Sequence, residues 1–491
     1  MPNKTVPSPY AEISARCAAT PDALAVITPQ YEVTYRQFCR DIETATRLLS
    51  AMELPRDSRV GVTMAGMYLH WVVTLSLFRL GLLATTCVPA NLPILKPTVL
   101  ITDSGISYPG ARAVNISREW LQSETAGLPA FEDSPHPADA PGRIIMSSGT
   151  TGVSKLALFT HQEFAERLSA VRVDYPYTPQ TREQCLMGVT SVGGIVWPLG
   201  CWMTGGTMLI SPPTPDKLMA QFLRDKPNMM YASPAQLEAL LNALPRGFER
   251  RDDLVMYVAG SVLSDALNRR TRERLTRNLV LVYGSTEIGT ATLAPASDVD
   301  GKPGLTGYIH PPVQIEIVDH EGQTVPAGEL GEVRMRNLGQ VHRYLDDESE
   351  TELTFRGGWF HPGDLGTLAA DGALYIKGRV REVMNFGGLK VSPAAIDELL
   401  AGSAGVTDLA AFAAEANGRS RPGVAVVADA QFDEAAAAQL RERCSKAMPS
   451  LPRLAIMRVA SIPRNEMGKI QRVELARQFA ARPASGKPRS A

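Results

Sequence analysis

Residues 144–161 read IIMSSGTTGVSKLALFTH, and this segment governs how the rest of the chain is interpreted. An apolar run enters a loop of glycine and hydroxyl residues, and 156–160 predicts a second strand. Glycines let backbone N–H groups approach an anion closely, hydroxyls add donors and Lys155 adds a positive charge. The segment predicts a polyphosphate-binding loop, with a polar hairpin turn as the alternative. Its predicted ligands are Ser147, Ser148, Gly149, Thr150, Thr151, Gly152 and Lys155.

The loop differs from a Walker P-loop in two ways. A P-loop has four residues between its glycines and a helix after its lysine. Here only two residues separate Gly149 from Gly152, and a strand is predicted after Lys155. The chain is therefore not expected to be a P-loop NTPase.

Composition excludes several classes of protein. The 491 residues allow about three core-sized units, and Lys+Arg 50 against Asp+Glu 51 gives no electrostatic reason to expect nucleic acid. The longest apolar stretch, 71–89, contains Arg79, which favours a core helix running into a strand over a transmembrane segment. The first residues, MPNKTVPSPYAEI, contain no signal-peptide core. We therefore expect a cytoplasmic protein with no transmembrane segment and no nucleic-acid partner.

The six cysteines are scattered along the chain without a C-x-x-C pair. The seven histidines show no H-E-x-x-H or comparable ligand spacing. A disulfide framework and a structural zinc site are both disfavoured by these spacings.

Alternating strand-like and helical patterns predict an α/β fold with mainly parallel sheets. From about 290 to 375, short strand-like runs between Gly, Pro, Asp and Asn turns predict an antiparallel, barrel-like subdomain without helices. We predict a large domain at 1–381 with two helix-flanked sheets and this subdomain. A small, mobile α+β domain is predicted at 382–480, followed by a disordered tail at 481–491.

Five further segments match motifs of one family in the family's order: 258–263 (VAGSVL), 283–287 (YGSTE), 358–364 (GWFHPGD), 378–388 and 463–469 (PRNEMGK). Together with 144–161, they resemble the adenylate-forming superfamily of acyl- and aryl-CoA synthetases, luciferase-like enzymes and peptide-synthetase adenylation domains. The resemblance covers nearly the whole chain. Ser154 and Pro362 depart from it, because the family has proline and threonine there.

The resemblance implies a role for each matched position. It implies an adenine site at Gly260, Ser261, Val262, Tyr283, Gly284 and Ser285, and a ribose site at Asp364, Arg379 and Ile376. It implies catalytic roles for Lys469, Thr286 and Glu287, with Glu287 as the Mg²⁺ ligand. It also implies a hinge at Glu382 and a thiol tunnel at Gly387 and Gly388.

Physical chemistry supports these roles, and each residue also has a simpler explanation. A lysine that touches both a carboxylate and the α-phosphate of ATP would cancel the repulsion between the two anions. Carboxylate oxygen suits Mg²⁺, and an aromatic ring can stack on a purine. The alternatives are solvated side chains for Lys469 and Glu287, a core tyrosine at 283 and a backbone-capping aspartate at 364.

The segment 187–194 (MGVTSVGG) corresponds to the family's acid-binding region, with Thr190 where Asp or His is expected. No carboxylate is present in it to neutralise a substrate ammonium, so an amino-acid substrate is disfavoured. We expect an acid without an α-amine that is apolar behind its carboxylate. For Trp197, packing in the core is the alternative to a place in the acid pocket. The predicted pocket residues are Thr190, Ser191, Gly193, Gly194 and Trp197.

Three functions are compatible with these motifs. The first is an ATP- and Mg²⁺-dependent acyl- or aryl-CoA ligase. The second is a stand-alone enzyme that loads an acid onto the phosphopantetheine of a carrier protein acting in trans. The third is a ligand-binding member without turnover, which the intact Lys469, Glu287 and Asp364 disfavour.

Overall fold

The structure is a computed structural model, and it describes residues 4–147, 154–386, 389–416, 419–464 and 469–481. The chain forms two compact units. Unit 1 comprises Met1–Asp298, Ile309–Ile315 and Met335–Phe360, and unit 2 comprises Val299–Tyr308, Glu316–Arg334 and His361–Ala491.

The strands follow in chain order: β1 (Thr5–Val6), β2 (Leu24–Ile27), β3 (Glu32–Thr34), β4 (Val60–Thr63), β5 (Ala84–Thr86), β6 (Val99–Thr102), β7 (Arg112–Asn115), β8 (His136–Pro137), β9 (Pro141–Ser147), β10 (Lys155–Thr160), β11 (Arg182–Cys185), β12 (Thr207–Leu209), β13 (Met229–Ala232), β14 (Val255–Ala259), β15 (Leu279–Ser285), β16 (Gly289–Pro295), β17 (Leu305–Ile309), β18 (Gln314–Val318), β19 (Gly331–Arg336), β20 (Phe355–Arg356), β21 (Trp359–Phe360), β22 (Asp364–Leu368), β23 (Ala373–Arg379), β24 (Met384–Phe386), β25 (Leu389–Val391), β26 (Val406–Ala416), β27 (Arg419–Ala428) and β28 (Ala455–Arg458).

The helices are α1 (Tyr10–Ala19), α2 (Tyr35–Ser50), α3 (Met67–Leu80), α4 (Leu92–Leu95), α5 (His161–Asp174), α6 (Val192–Thr204), α7 (Pro215–Asp225), α8 (Pro234–Ala243), α9 (Asp265–Arg274), α10 (Glu348–Thr354), α11 (Pro393–Leu400), α12 (Glu434–Ala447) and α13 (Arg472–Ala480). Short 3₁₀ turns span Pro89–Asn91, Arg118–Gln122 and Val380–Glu382. Within the described residues, each helix is too short or too polar to span a bilayer.

Unit 1 contains two largely parallel sheets. The first has the order β10-β9-β5-β4-β6-β7, with only the β9–β10 pair antiparallel. The second runs β3-β2-β12-β11-β13-β14-β15-β16 and is parallel from β2 to β15. β4, β6 and β13 are buried at every position, as expected for strands covered by helices on both faces. Because ligands bind at the carboxyl ends of such strands, the loops after β11, β14 and β15 are candidate site positions.

Unit 2 begins with antiparallel pairing and ends with a second small sheet. β23 pairs antiparallel with β17 and β22, and β22 pairs antiparallel with β19. The carboxyl-terminal part contains the sheet β26-β27-β28, whose buried residues pack with α11, α12 and α13. The predicted α/β class is confirmed. The boundary at 382 stays a prediction, and unit 2 also contains 361–381.

Helix α10 corrects the expectation that helices are absent from 290–375. Asp347 caps this helix, since its Oδ1 accepts from the backbone N–H of Glu350 at 3.0 Å. The sequence DDESETEL contains this signal, because an Asp followed three residues later by Glu is typical of a helix start. The neighbouring segments are rich in Gly and Pro, which led to a prediction of turns instead of a helix.

A disulfide between Cys17 and Cys39 corrects the expectation drawn from cysteine spacing. The two Cα atoms are 6.4 Å apart, and the bond joins α1 to α2. A separation of 22 residues does not predict a disulfide, because these cysteines are brought together only by the packing of the two helices. Cys87, Cys185, Cys201 and Cys444 are free thiols.

Glu183 on β11 is completely buried, and its two carboxyl oxygens have no hydrogen-bond partner of normal geometry among the described residues. Burial raises its pKa to about 8, although the neighbouring Tyr177 and Cys201 oppose the shift. Between about pH 4.5 and 8 the folded chain therefore holds a proton that the unfolded chain has released. The free energy of unfolding accordingly falls as pH rises through this window.

We predict that Glu183→Gln stabilises the chain more at pH 8 than at pH 5. The difference should reach about 3 kcal/mol, because each pKa unit is worth about 1.4 kcal/mol. Thermal and urea unfolding of both proteins at the two pH values measures it. Glu249→Gln, at an exposed position, is the matched control and should show no such gain. Parallel pH profiles for wild type and Glu183→Gln would contradict the prediction.

Candidate active site

The predicted phosphate loop connects two antiparallel strands. β9 and β10 pair from Phe159↔Arg143 to Lys155↔Ser147, so the last pair stands at the base of the loop. Ser147 is buried. Ser148, Gly149, Thr150, Thr151 and Gly152 lie outside the described residues. The strand predicted after the loop is confirmed, in contrast to the helix that a Walker P-loop requires.

The ammonium group of Lys155 lies at the base of this hairpin. Its Nζ is 2.5 Å from Glu350 Oε1 and 4.9 Å from the centroid of the Tyr344 ring. Both charged side chains are mostly buried, at 15% and 17% exposed. The hairpin thus places one cation beside the predicted phosphate loop, with a carboxylate balancing its charge.

Thr286 and Glu287 lie in the tight turn between β15 and β16, and both side chains are buried. The ladder shifts register between Tyr283 and Gly284. Gly284 is required there, because a Cβ would overlap the backbone carbonyl of Gly289. The YGSTE segment is therefore a strand end with a bulge that carries two polar residues into a turn.

Tyr344 holds the carboxylate of Glu287. Its hydroxyl donates to Glu287 Oε1 at 2.8 Å, and the backbone N–H of Val341 donates to the Glu287 carbonyl at 2.8 Å. Burial, together with the negative charge of Glu287, raises the pKa of Tyr344. The phenol therefore stays protonated and acts as a donor. Sequence reasoning missed Tyr344, which lies 57 residues beyond Glu287.

Arg167 on α5 holds the backbone of the same turn. Its guanidinium donates to the carbonyls of Thr286 at 3.0 Å, Glu287 at 3.0 Å and Gly339 at 2.8 Å. Burial lowers its pKa to about 10, although nearby Glu287 opposes the shift, so it remains a cation at neutral pH. Sequence reasoning missed this residue as well, because an arginine within a helix carries no motif.

The predicted adenine residues lie at the carboxyl ends of neighbouring strands. β14 and β15 are parallel with Ala259 opposite Val282, so Gly260 and Tyr283 follow side by side. Gly260 has φ 94°, a conformation that favours glycine. Ser261 is half-buried and Val262 is 89% exposed. The hydroxyl of Ser285 is buried without a hydrogen-bond partner among the described residues.

The predicted acid pocket follows β11. Ser191 caps α6, since its Oγ accepts from Gly194 N–H at 3.1 Å and donates to the Gly188 carbonyl at 2.7 Å. A Cβ at Gly194 would overlap that carbonyl, and one at Gly193 would lie 2.7 Å from the Trp197 ring. Local packing therefore explains why glycine occupies both positions. Thr190 is half-buried in the loop before the cap.

Trp197 is buried and stacks on Tyr231, with ring centroids 3.9 Å apart. Tyr175 contacts both rings edge to face. The indole therefore belongs to an aromatic cluster between α6 and the sheet. This is the core packing that the sequence left as the alternative, and a role at the wall of the acid pocket stays a prediction.

In unit 2, Asp364 and Arg379 face each other across β22 and β23. Arg379 Nε is 2.7 Å from Asp364 Oδ1, and its Nη1 donates to the Pro362 carbonyl at 3.0 Å. Asp364 is buried, whereas Arg379 is partly exposed. Ile376 lies on the same strand opposite Gly366. The three predicted ribose residues thus belong to one hairpin.

The loop that contains Lys469 is closed at its base. Arg464 and Ile470 form an antiparallel bridge, and the N–H of Gln471 donates to the Pro463 carbonyl at 2.8 Å. Both oxygens of Asp408 accept from Arg464 at 3.0 Å. Residues 465–468 lie outside the described residues. The residues on either side of 465–469 are therefore fixed together.

The predicted hinge residue is tied to the segment after this loop. Glu382 ends the 3₁₀ turn, and its Oε2 accepts from Arg472 Nε at 3.1 Å. Arg472 also donates to Asp397 Oδ2 at 2.6 Å. Gly387 and Gly388 lie outside the described residues, between β24 and β25. Arg472 is a further residue that the motif analysis did not identify.

The donor chemistry of unit 1 fits a nucleotide phosphate with Mg²⁺. No group of three or more His, Cys, Asp or Glu side chains in the described ranges could hold a metal ion by itself. Mg²⁺ is usually held by one or two carboxylates together with substrate phosphates, so Glu287 near the predicted phosphate loop fits such a site. The unpartnered Ser285 hydroxyl and the Lys155 ammonium add a donor and a cation near the same hairpins.

Comparison with known proteins agrees with this geometry. The AMP-binding enzyme family model matches residues 13–345. The fatty acid–[acyl-carrier-protein] ligase MmaC of Mycobacterium marinum is 26% identical, over 90% of this chain and 92% of its own. The long-chain-fatty-acid–CoA ligase FadD13 of Mycobacterium tuberculosis is 26% identical, over 95% and 97%.

The fold also matches solved structures. ATP-bound MatB from Rhodopseudomonas palustris superposes with a TM-score of 0.83 at 22% identity, over 96% of this chain and 99% of that one. At this identity the likeness shows the fold. Because the family model covers well over half of the sequence, the chain belongs to the AMP-binding enzyme family.

Proposed function

We propose that the protein is an AMP-forming acid–thiol ligase, which activates a carboxylic acid with ATP and transfers the acyl group to the thiol of CoA. The phosphate hairpin is the pair of strands β9 and β10 with the predicted phosphate loop between them. The observation that carries the proposal is the arrangement of Glu287, Tyr344 and Lys155 beside this hairpin in an AMP-binding enzyme. The arrangement provides a hard oxygen ligand and a cation, which are what the triphosphate of ATP requires.

In the first half-reaction, the acid's carboxylate attacks the α-phosphorus of ATP and pyrophosphate leaves. Lys155 and the hairpin donors bind the phosphates, and Thr286 donates to the α-phosphate or the substrate carboxylate. Mg²⁺, bound through Glu287, would neutralise charge on the phosphates. Asp364 accepts from the ribose hydroxyls. Lys469 contacts both reacting anions and offsets their repulsion.

In the second half-reaction, a thiolate attacks the acyl carbonyl of the adenylate, the thioester forms and AMP leaves. In the family that the chain resembles, the small domain rotates between the two half-reactions, which removes the lysine and brings in the thiol channel. We assign the hinge of this rotation to Glu382 and the thiol channel to Gly387 and Gly388. Loading of a carrier-protein phosphopantetheine is the second candidate for this step. MmaC is named an acyl-carrier-protein ligase, and its similarity to this chain extends over nearly the full length of both. This similarity favours the second candidate.

The acid is proposed to lack an α-amine. Segment 187–194 contains no carboxylate. The apolar character of the acid is consistent with the fatty-acid ligases among the relatives. We expect the reaction to take place in the cytoplasm.

The function is tested with a panel of fatty, aryl and amino acids in a pyrophosphate-release assay. Release is expected with one of the acids that lack an amine, and amino acids should give none. Product analysis with CoA or with phosphopantetheinylated carrier protein then identifies the acceptor. Absence of release with every acid would contradict the enzyme assignment.

Lys469→Ala should reduce ATP–pyrophosphate exchange by at least about a thousandfold, because preorganised charge stabilisation of this kind is worth several kcal/mol. ATP binding, measured by calorimetry, should change little. Lys446→Ala, at an exposed position on α12, is the control and should leave exchange intact. Exchange at the wild-type rate in Lys469→Ala would refute the role of this lysine.

Glu382→Pro should block thioester formation while leaving pyrophosphate exchange intact, because proline fixes φ near −65° at the proposed hinge. Glu382→Ala keeps the backbone free and removes only the contact with Arg472, so it separates rotation from the side-chain link. Single-turnover measurements of each half-reaction provide the readout. Normal thioester output from Glu382→Pro would exclude rotation at this residue.

A further inference from the structure

Tyr344 contacts two residues whose positions matter for MgATP binding. Its hydroxyl donates to Glu287 Oε1 at 2.8 Å, and its ring centroid lies 4.9 Å from Lys155 Nζ. The side chain is 4% exposed, so both contacts are shielded from water. One tyrosine therefore links the proposed Mg²⁺ ligand to the cation of the phosphate hairpin.

The backbone places this tyrosine rigidly. Tyr344 forms an antiparallel bridge with Ala157 of β10, and the neighbouring Leu345 N–H donates to the Leu156 carbonyl at 2.8 Å. Segment 343–345 therefore continues the strand pairing of the phosphate hairpin. The ring packs against Phe355 with centroids 5.2 Å apart. A side chain held in this way can orient a neighbour accurately.

The chemistry of the contact suits an orienting role. The phenol donates to Glu287 Oε1, and both residues are buried. A hydrogen bond to a carboxylate is about twice as strong as one between neutral groups. It engages one oxygen of the carboxylate and restricts how the carboxylate can rotate. Arg167 fixes the backbone of the same residue through the Glu287 carbonyl.

We propose that Tyr344 is a positioning residue that orients the carboxylate of Glu287 toward the Mg²⁺ of MgATP, while its ring supports the Lys155 ammonium. The proposal rests on the proposed function. The two contacts use different parts of the side chain, so they can be removed separately. Tyr344→Phe removes the hydroxyl and keeps the ring, and Tyr344→Leu removes both.

Tyr344→Phe should raise the Mg²⁺ concentration for half-maximal pyrophosphate release about tenfold, the scale of one charge-assisted hydrogen bond. The same shift is expected in a Mn²⁺ titration of the ATP-loaded protein followed by electron paramagnetic resonance, which needs no turnover. ATP binding without divalent cation should stay unchanged in Tyr344→Phe and weaken in Tyr344→Leu.

Tyr68→Phe is the matched control. Tyr68 is also buried and also donates to a carboxylate, Asp41 Oδ2 at 2.6 Å. Its loss should leave the divalent-cation dependence unchanged. An equal shift in Tyr68→Phe, or none in Tyr344→Phe, would overturn the proposal.

The two levels of proposal fail differently. Wild-type protein that binds Mn²⁺·ATP but releases no pyrophosphate with any acid would refute the ligase function alone. Normal catalysis with an unshifted Mn²⁺ affinity in Tyr344→Phe would refute only the role of Tyr344. ATP-loaded wild type that holds no divalent cation would refute both.

Discussion

The buried guanidinium of Arg167 fixes the turn on which the proposed nucleotide site of unit 1 depends. It joins α5, which directly follows the phosphate hairpin, to the carbonyls of Thr286, Glu287 and Gly339. A carbonyl left unpaired in the interior costs about 1–3 kcal/mol, and the Glu287 carbonyl has a second donor in the Val341 N–H. A Cβ at Gly339 would overlap the backbone N of Arg167, so the glycine is part of the same contact. The phosphate hairpin, the turn between β15 and β16 and the segment around Tyr344 are therefore held in fixed positions relative to one another.

The sequence predicted the elements of the site better than their contacts. The strands on either side of the predicted phosphate loop follow from local patterns, and the structure has both as β9 and β10. A strand end at Tyr283 is also predicted, but β15 continues to Ser285 by pairing with β16. The partners Tyr344, Arg167 and Arg472 could not be found in this way, because hydrogen bonds between distant segments leave no local periodicity. The Cys17–Cys39 bond was missed for the same reason. Helix α10 was missed although its Asp347 cap was visible in the sequence.

A net charge of −1 accompanies the proposed binding of a polyanion. The structure resolves this through the placement of individual cations. Arg167 is used internally, on backbone carbonyls, while Lys155 is presented at the hairpin with Glu350 as its counter-ion. A phosphate bound there would compete with that carboxylate for the ammonium. Under the proposed function, nucleotide binding depends on a few positioned groups, which agrees with the absence of a basic excess in the composition.

Arg472 gives unit 2 a comparable organisation. It lies three residues after Lys469 and binds both Glu382 and Asp397. The Arg464–Ile470 bridge joins the described residues on either side of 465–469. Under the proposed function, the segment 470–472 would follow a rotation at Glu382, because the ion pair joins Arg472 to the hinge residue. Arg472 thus holds the proposed hinge residue to α11 and to the start of α13, three residues beyond Lys469.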